Sequence, residues 1–254
     1  MRIGIFDSGV GGLTVLKAIR DRYAEADIIY LGDTARVPYG NKSEETVIRY
    51  SMECADFLLS KGIDILVVAC NTASSYAINP LRERFSIPVV GVVKPGVKLA
   101  LSLTNGRVGV IGTLTTIRSG SYQIPLKEAG VEVFARACPL LVPLVEEGLF
   151  EGEIVRKVVS MYLKDLKGKI DTLILGCTHY PLLKNVIQDF LGDVLIVDSS
   201  KAVACELEGF VKGGGGAKTE LFFTDMSPNL PTLVEIILGQ PLEIKAVSPQ
   251  SFFP

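Results

Sequence analysis

The chain has 254 residues, of which 48 % are hydrophobic and 21 % charged, and its net charge is −2. One histidine and five cysteines, the nearest pair (Cys54 and Cys70) sixteen apart, leave no imidazole set or CxxC knuckle for a metal, and no run reaches the ~18 apolar residues of a membrane span. Without a Lys/Arg cluster there is no large nucleic-acid footprint, and an odd set of irregularly spaced cysteines behind Met1-Arg2-Ile3, with no secretory leader, points to a cytoplasmic protein with free thiols.

Apolar runs rich in β-branched residues alternate with helical periodicity, the pattern of βα units feeding a parallel sheet. Arg2 to Phe6, Asp27 to Leu31, Asp64 to Ala69 and Pro88 to Val93 read as buried strands. Leu13, Leu16, Ile19 and Tyr23 form one helical stripe, and Ile48, Met52, Ala55 and Leu59 a second. The same order then recurs. Arg2-Ile-Gly-Ile matches Arg107-Val-Gly-Val and Val37-Pro38 matches Val142-Pro143 at an offset of 105 residues. Ile65 to Cys70 matches Thr172 to Cys177, and Ile87-Pro-Val-Val matches Val194-Leu-Ile-Val, at an offset of 107. Val155, Val158, Tyr162 and Leu166 supply the helical stripe before the second copy's cysteine strand. Such matches in chain order predict two pseudo-symmetric, flavodoxin-like α/β lobes, each a mainly parallel sheet flanked by helices, with the active site in the cleft between them. Lys212-Gly-Gly-Gly-Gly-Ala217 reads as a flexible connector. Beyond it, Leu221 to Thr224 and a helix from Asn229 to Leu238 are too short for a domain. The expected lobes are therefore residues 1–94 together with 212–254, and residues 95–211.

Ligands of open parallel sheets bind beyond the carboxyl ends of the strands. Four polar motifs fall there in pseudo-symmetric pairs: Asp7 to Gly12, Cys70-Asn71-Thr72, Gly112-Thr113 with Thr116, and Cys177-Thr178-His179. The glycines of the first let backbone come close to a ligand, and the helix N-termini that follow favour an anion. The spacing is neither G-x-G-x-x-G nor a P-loop, which leaves nucleotide binding unsupported. Ser8, Thr72, Thr113 and Thr178 suit N-capping and carboxylate binding alike.

A lone cysteine ending an apolar strand is commonly a small buried hydrophobe, but Cys70 and Cys177 occupy equivalent places in the two copies and are followed by polar residues. Facing each other across a cleft, two thiols are placed to remove a proton from one face of a carbon and return one to the other. A thiol's ordinary pKa of about 8.5 suits that work. Asp7 and His179 are the nearest groups able to tune them. Cys54, Cys138 and Cys205 lack repeat partners and read as packing residues. A Cys70–His179–Asp7 thiol hydrolase leaves Cys177 without a role, and a two-lobed anion-binding protein leaves both thiols without one.

At these motifs the chain resembles the glutamate racemases of the cofactor-independent aspartate/glutamate racemase superfamily. The likeness runs from Ile3 to about Asp225, through Asp7 to Thr14, Tyr30-Leu-Gly-Asp-Thr-Ala-Arg-Val-Pro-Tyr-Gly40, Ala69 to Ser74 and Gly176-Cys-Thr-His-Tyr-Pro-Leu-Leu183, with Ser119 and Tyr122 also matching the second-lobe pattern. The resemblance implies interconversion of L- and D-glutamate without pyridoxal phosphate, another cofactor or a metal, supplying D-glutamate for peptidoglycan, in a protein that commonly forms homodimers. It implies that Cys70 and Cys177 are the acid/base thiols, assisted by Asp7, His179 and Glu146. Ser8, Asn71, Thr72, Thr113, Thr116 and Thr178 then bind the substrate's amino and carboxylate groups, and Pro38, Tyr39 and Gly40 its side-chain end. A sister isomerase acting on aspartate is the nearest alternative, although His179 behind Cys177-Thr178 favours glutamate.

Overall fold

A computed structural model describes residues 1–211 and 215–252. The first half runs β1 (Arg2–Asp7), α1 (Leu13–Arg22), β2 (Asp27–Gly32), α2 (Glu44–Ser60), β3 (Ile65–Val68), α3 (Asn71–Tyr76), α4 (Ile78–Arg84), β4 (Val89–Gly91) and α5 (Val93–Leu103). The second runs β5 (Arg107–Gly112), α6 (Leu114–Ser119), α7 (Gln123–Glu128), β6 (Glu132–Ala137), α8 (Leu141–Glu146), α9 (Glu153–Leu163), β7 (Thr172–Gly176), α10 (Lys184–Leu191), β8 (Leu195–Asp198) and α11 (Ser199–Glu206). The tail adds β9 (Thr219–Phe223), α12 (Leu230–Leu238) and β10 (Ile244–Ala246).

All pairings are parallel, in a six-stranded sheet of order β10-β9-β2-β1-β3-β4 and a four-stranded sheet of order β6-β5-β7-β8. The run β2-β1-β3-β4 has the same order as β6-β5-β7-β8, so the sequence repeat has become a repeat of topology. The tail strand β9 pairs with β2, opposite residues 28 to 32. Residues 212–214 of the expected connector lie outside the described residues. Among the described residues no helix is long and apolar enough to cross a membrane.

The central strands β1, β3, β5 and β7 are buried on both faces, which is why they read as apolar and not alternating runs, whereas β6, β8 and β10 at the sheet edges are partly exposed. Two helices bury a face rotated from, but overlapping, the one their periodicity suggested: Ala55 of α2 and Val155 of α9 belong to both. In α2 the fully buried stripe is Val47, Ser51, Cys54 and Leu58, whereas Ile48, Met52 and Leu59 are half-buried. The reason is that α2 also receives the C-terminal segment, where Phe252 packs 5.1 Å from Phe57 between ring centroids. In α9 the buried face is Val155, Val159 and Leu163, and Val158 and Tyr162 are half-buried. Cys54 and Cys138 are buried as expected, but Cys205 is exposed. The inward stripe of α11 continues through Ser200, Val203, Ala204 and Leu207, and Cys205 lies off it.

Candidate active site

Because β1, β3, β5 and β7 are central strands, the residues just past their carboxyl ends converge. Ser8, Pro38, Tyr39, Gly40, Cys70, Asn71, Thr72, Thr113, Val142, Cys177, Thr178 and His179 enclose one small cavity of about 10 Å³. Pro38 and Val142, members of one repeat match, face it from opposite lobes. Asp7, Thr116 and Glu146 stand one layer behind. A roomier cavity of about 450 Å³ beside α4, α5 and α7 contains neither Cys70 nor Cys177. Since about 10 Å³ holds roughly one water, this form is closed to an amino acid as it stands.

Cys70 is the N-cap of α3 and accepts a hydrogen bond from the Ala73 amide at 3.5 Å, while its thiol donates to Ser8 Oγ at 3.5 Å. Burial, reinforced by the nearby Asp7 charge, pushes the thiol up to about 12. Cys177 Sγ lies 3.7 Å from His179 Nδ1, and His179 Nε2 lies 2.6 Å from Glu146 Oε1. Burial opposes charge on this 2 % exposed imidazole, but its bonds to Cys177 and Glu146 outweigh burial and hold it well above its usual value. An imidazolium carries N–H on both ring nitrogens and so serves both neighbours. Glu146 is likewise half-buried, yet its bond to His179 holds it below its ordinary value.

Asp7 is fully buried. Burial raises it, against the pull of the His179 charge and the Gly9 amide, which donates to it at 3.0 Å. Thr178 Oγ1 donates to Asp7 Oδ1 at 3.0 Å, tying the helpers of the two lobes together. The hydroxyls divide their duties. Thr113 does cap α6, accepting from the Thr116 amide at 3.2 Å. Thr72 does not cap; its Oγ1 meets Thr113 Oγ1 at 2.9 Å and Thr116 Oγ1 at 3.1 Å across the cleft. The Tyr122 hydroxyl donates to Asn71 Oδ1 at 2.5 Å, which leaves the Asn71 amide nitrogen for the cavity.

The glycine-rich loop after β1 does something other than cradle an anion. A Cβ on Gly11 would stand 2.6 Å from His179 Nδ1 and from Thr178 Oγ1, and one on Gly9 2.7 Å from Glu146 Oε1. The missing side chains let the first lobe's backbone lie against Thr178, His179 and Glu146 of the second. Glu146, which motif spacing alone does not pick out, owes its place to this three-way contact.

A family model described as Asp/Glu/hydantoin racemase matches residues 13–207. The curated glutamate racemase of Aquifex pyrophilus is 64 % identical over 246 residues, covering 96 % of this chain and 97 % of the relative. The chain belongs to the Asp/Glu racemase family, among its glutamate racemases. The solved A. pyrophilus structure superposes with a TM-score of 0.87 at 63 % identity, over 97 % of this chain and 98 % of that one. The structure of the Francisella tularensis glutamate racemase in complex with D-glutamate gives a TM-score of 0.91 at 35 % identity, over 98 % of each chain. As a member of the family the protein is an isomerase, and its two-lobed α/β architecture is that of these racemases.

Proposed function

We propose that this racemase interconverts L- and D-glutamate by proton transfer at Cα between Cys70 and Cys177, and that its D-glutamate feeds peptidoglycan synthesis in the cytoplasm. The observation that carries the reading is the convergence of two repeat-related thiols on one closed cavity, each backed by its own acidic helper.

In the forward step one sulfur, as thiolate, takes the Cα proton: the C–H bond breaks, an S–H bond forms, and the electron pair stays on Cα, delocalised into the carboxylate. The opposite thiol then gives its proton to the other face of Cα and becomes the thiolate. The enzyme leaves the step with its protonation pattern reversed, and solvent exchange through the buried helpers restores it. Cys70, held as a thiol in the closed form, is set as the donor; an approaching substrate ammonium beside Asp7 offsets the burial that keeps it protonated. His179, charged and locked by Glu146, plays the matching part for Cys177. Ser8, Asn71, Thr72, Thr113 and Thr178 are neutral donors for the α-amino and α-carboxylate groups, in a site that excludes water on closure. Thr116 positions Thr72 and Thr113, and Pro38, Tyr39 and Gly40 receive the side-chain carboxylate.

The test is turnover in deuterium oxide. Glutamate should acquire deuterium at Cα as it loses optical activity, and racemisation without uptake would falsify the two-base reading. Cys70→Ser and Cys177→Ser should each lose at least about 10³-fold in kcat, the scale of a lost acid/base group. Cys205→Ala should retain full activity.

A further inference from the structure

The cavity wall formed by Pro38, Tyr39 and Gly40 belongs to a strap of two 3-10 turns, Thr34–Arg36 and Tyr39–Asn41, between β2 and α2. Behind it lies an ionic cluster that the proton transfer does not use. Arg36 Nε donates to Asp33 Oδ2 at 2.7 Å and its Nη1 donates to Glu53. The guanidinium carbon lies over the Tyr50 ring, 4.0 Å from its centroid. The Tyr39 hydroxyl donates to the same Asp33 oxygen, and Thr224 Oγ1 donates to Asp33 Oδ1 at 2.9 Å. Asp33 is wholly buried, and its amide donates to the Asp7 carbonyl at 2.9 Å.

Buried ion clusters of this kind are poor stabilisers, since well-packed apolar residues often do as well or better. What a bidentate guanidinium supplies is fixed geometry. The cluster fixes Tyr39, whose hydroxyl is spent on Asp33 and whose ring is buried, so that the strap meets the cavity in one orientation. The far side of the strap is equally constrained: a Cβ on Gly40 would stand 2.4 Å from Thr113 Cβ, and Thr115 Oγ1 donates to the Lys42 carbonyl at 3.1 Å.

We infer that Arg36 is a positioning residue for substrate binding: by gripping Asp33 and Glu53 together it orients Tyr39, and through it the strap that receives the side-chain carboxylate. This rests on the assignment of Pro38, Tyr39 and Gly40 to that carboxylate. The ammonium of Arg36→Lys is a compact point charge without the planar fork that spans Asp33 and Glu53 or the guanidinium that lies over the Tyr50 ring.

The experiment compares wild type, Arg36→Lys, Tyr39→Phe and the double variant in steady-state racemisation of glutamate, with thermal melts of each. Arg36→Lys should raise KM about tenfold, the scale of one lost charge-assisted hydrogen bond, with kcat within a factor of about three and the melting temperature little changed. Tyr39→Phe should raise KM similarly, and the double variant no more than the larger single effect, because both act through Asp33. An unchanged KM in Arg36→Lys, or single effects that multiply in the double variant, overturns the inference. Should Arg36→Lys fold poorly, Glu53→Gln keeps an acceptor for the guanidinium and should raise KM by a smaller factor; no rise overturns the inference as well. Wild-type protein that fails to racemise glutamate at all defeats the proposed function itself, whereas active wild type with unaffected variants defeats only the role of Arg36.

Discussion

The five cysteines share a side chain and little else. Cys70 and Cys138 are each pushed up to about 12 by burial and Cys54 is raised well above the usual thiol range, while Cys205 stands exposed on α11. At pH 8 only a trace of thiolate exists at the first three, and the thiolate is what alkylates. Iodoacetamide should therefore label Cys205 ahead of Cys54, Cys70 and Cys138, as peptide mass spectrometry would record; early labelling of Cys70 contradicts the closed form.

The His179–Glu146 pair gives a second expectation at this scale. His179 is raised above 6.5, so its stabilisation is complete below pH 6.5 and is lost as pH rises through its folded value. Glu146 is lowered from 4.5, so its share is present above pH 4.5 and lost as pH falls through its folded value. The stability gap between wild type and His179→Gln should therefore be widest between pH 4.5 and 6.5 and narrow toward alkaline pH. Denaturant unfolding at a series of pH values measures it, and a gap that widens with pH reverses the assignment.

At the scale of elements, the loop after β1 is a tight joint against Thr178 and His179. Gly11→Ala forces a methyl into His179 and Thr178 without disturbing a core cluster. A displacement of that size should cost kcat about 10²-fold, the usual penalty for misplacing a catalytic group by an ångström, with a circular dichroism spectrum like wild type. The central strands were readable in the sequence because burial on both faces leaves an unmistakable apolar run. Helix faces were less so: Ile48 and Val47 differ little as hydrophobes, and the packing of α2 in the fold, not the pattern, leaves Val47 the fully buried one. The paired thiols stood out through the repeat. Glu146 and Glu53 did not, because their partners His179 and Arg36 lie 33 and 17 residues away, and the Asp33–Arg36 pair, though only three apart, sits in a short turn outside any helical stripe.

For the whole molecule, closure rests on the apolar packing of α11 against α1 and on a set of polar contacts that includes Thr178 on Asp7 and Tyr122 on Asn71. Thr72 meets Thr113 and Thr116, Ser75 Oγ meets Ser121 Oγ at 2.9 Å, and Thr115 reaches the Lys42 carbonyl. Each is worth about 1 kcal/mol net, so a small change shifts the balance between open and closed forms. Ser75→Ala combined with Ser121→Ala should enlarge the ligand-free radius of gyration in small-angle scattering, with D-glutamate restoring the compact form. A radius unchanged from wild type would mean that the Ser75–Ser121 contact does not hold the lobes closed.

Two sheets of matching strand order bring matching thiols to one point, but the helpers do not match: a lone buried aspartate backs one side, an imidazole with its carboxylate the other. Mirror-image isomers have equal free energies in water, so the equilibrium constant of racemisation is one. Thermodynamics then compels the ratio kcat/KM to be identical for the two enantiomers, whatever the protein does. The unequal helpers can express themselves only by splitting that common ratio differently, one enantiomer bound more tightly and turned over more slowly, the other loosely and fast. On the proposed two-thiol reading, the scaffold supplies the symmetry the reaction demands, and the contrast of Asp7 with His179 and Glu146 sets how far each direction departs from its twin.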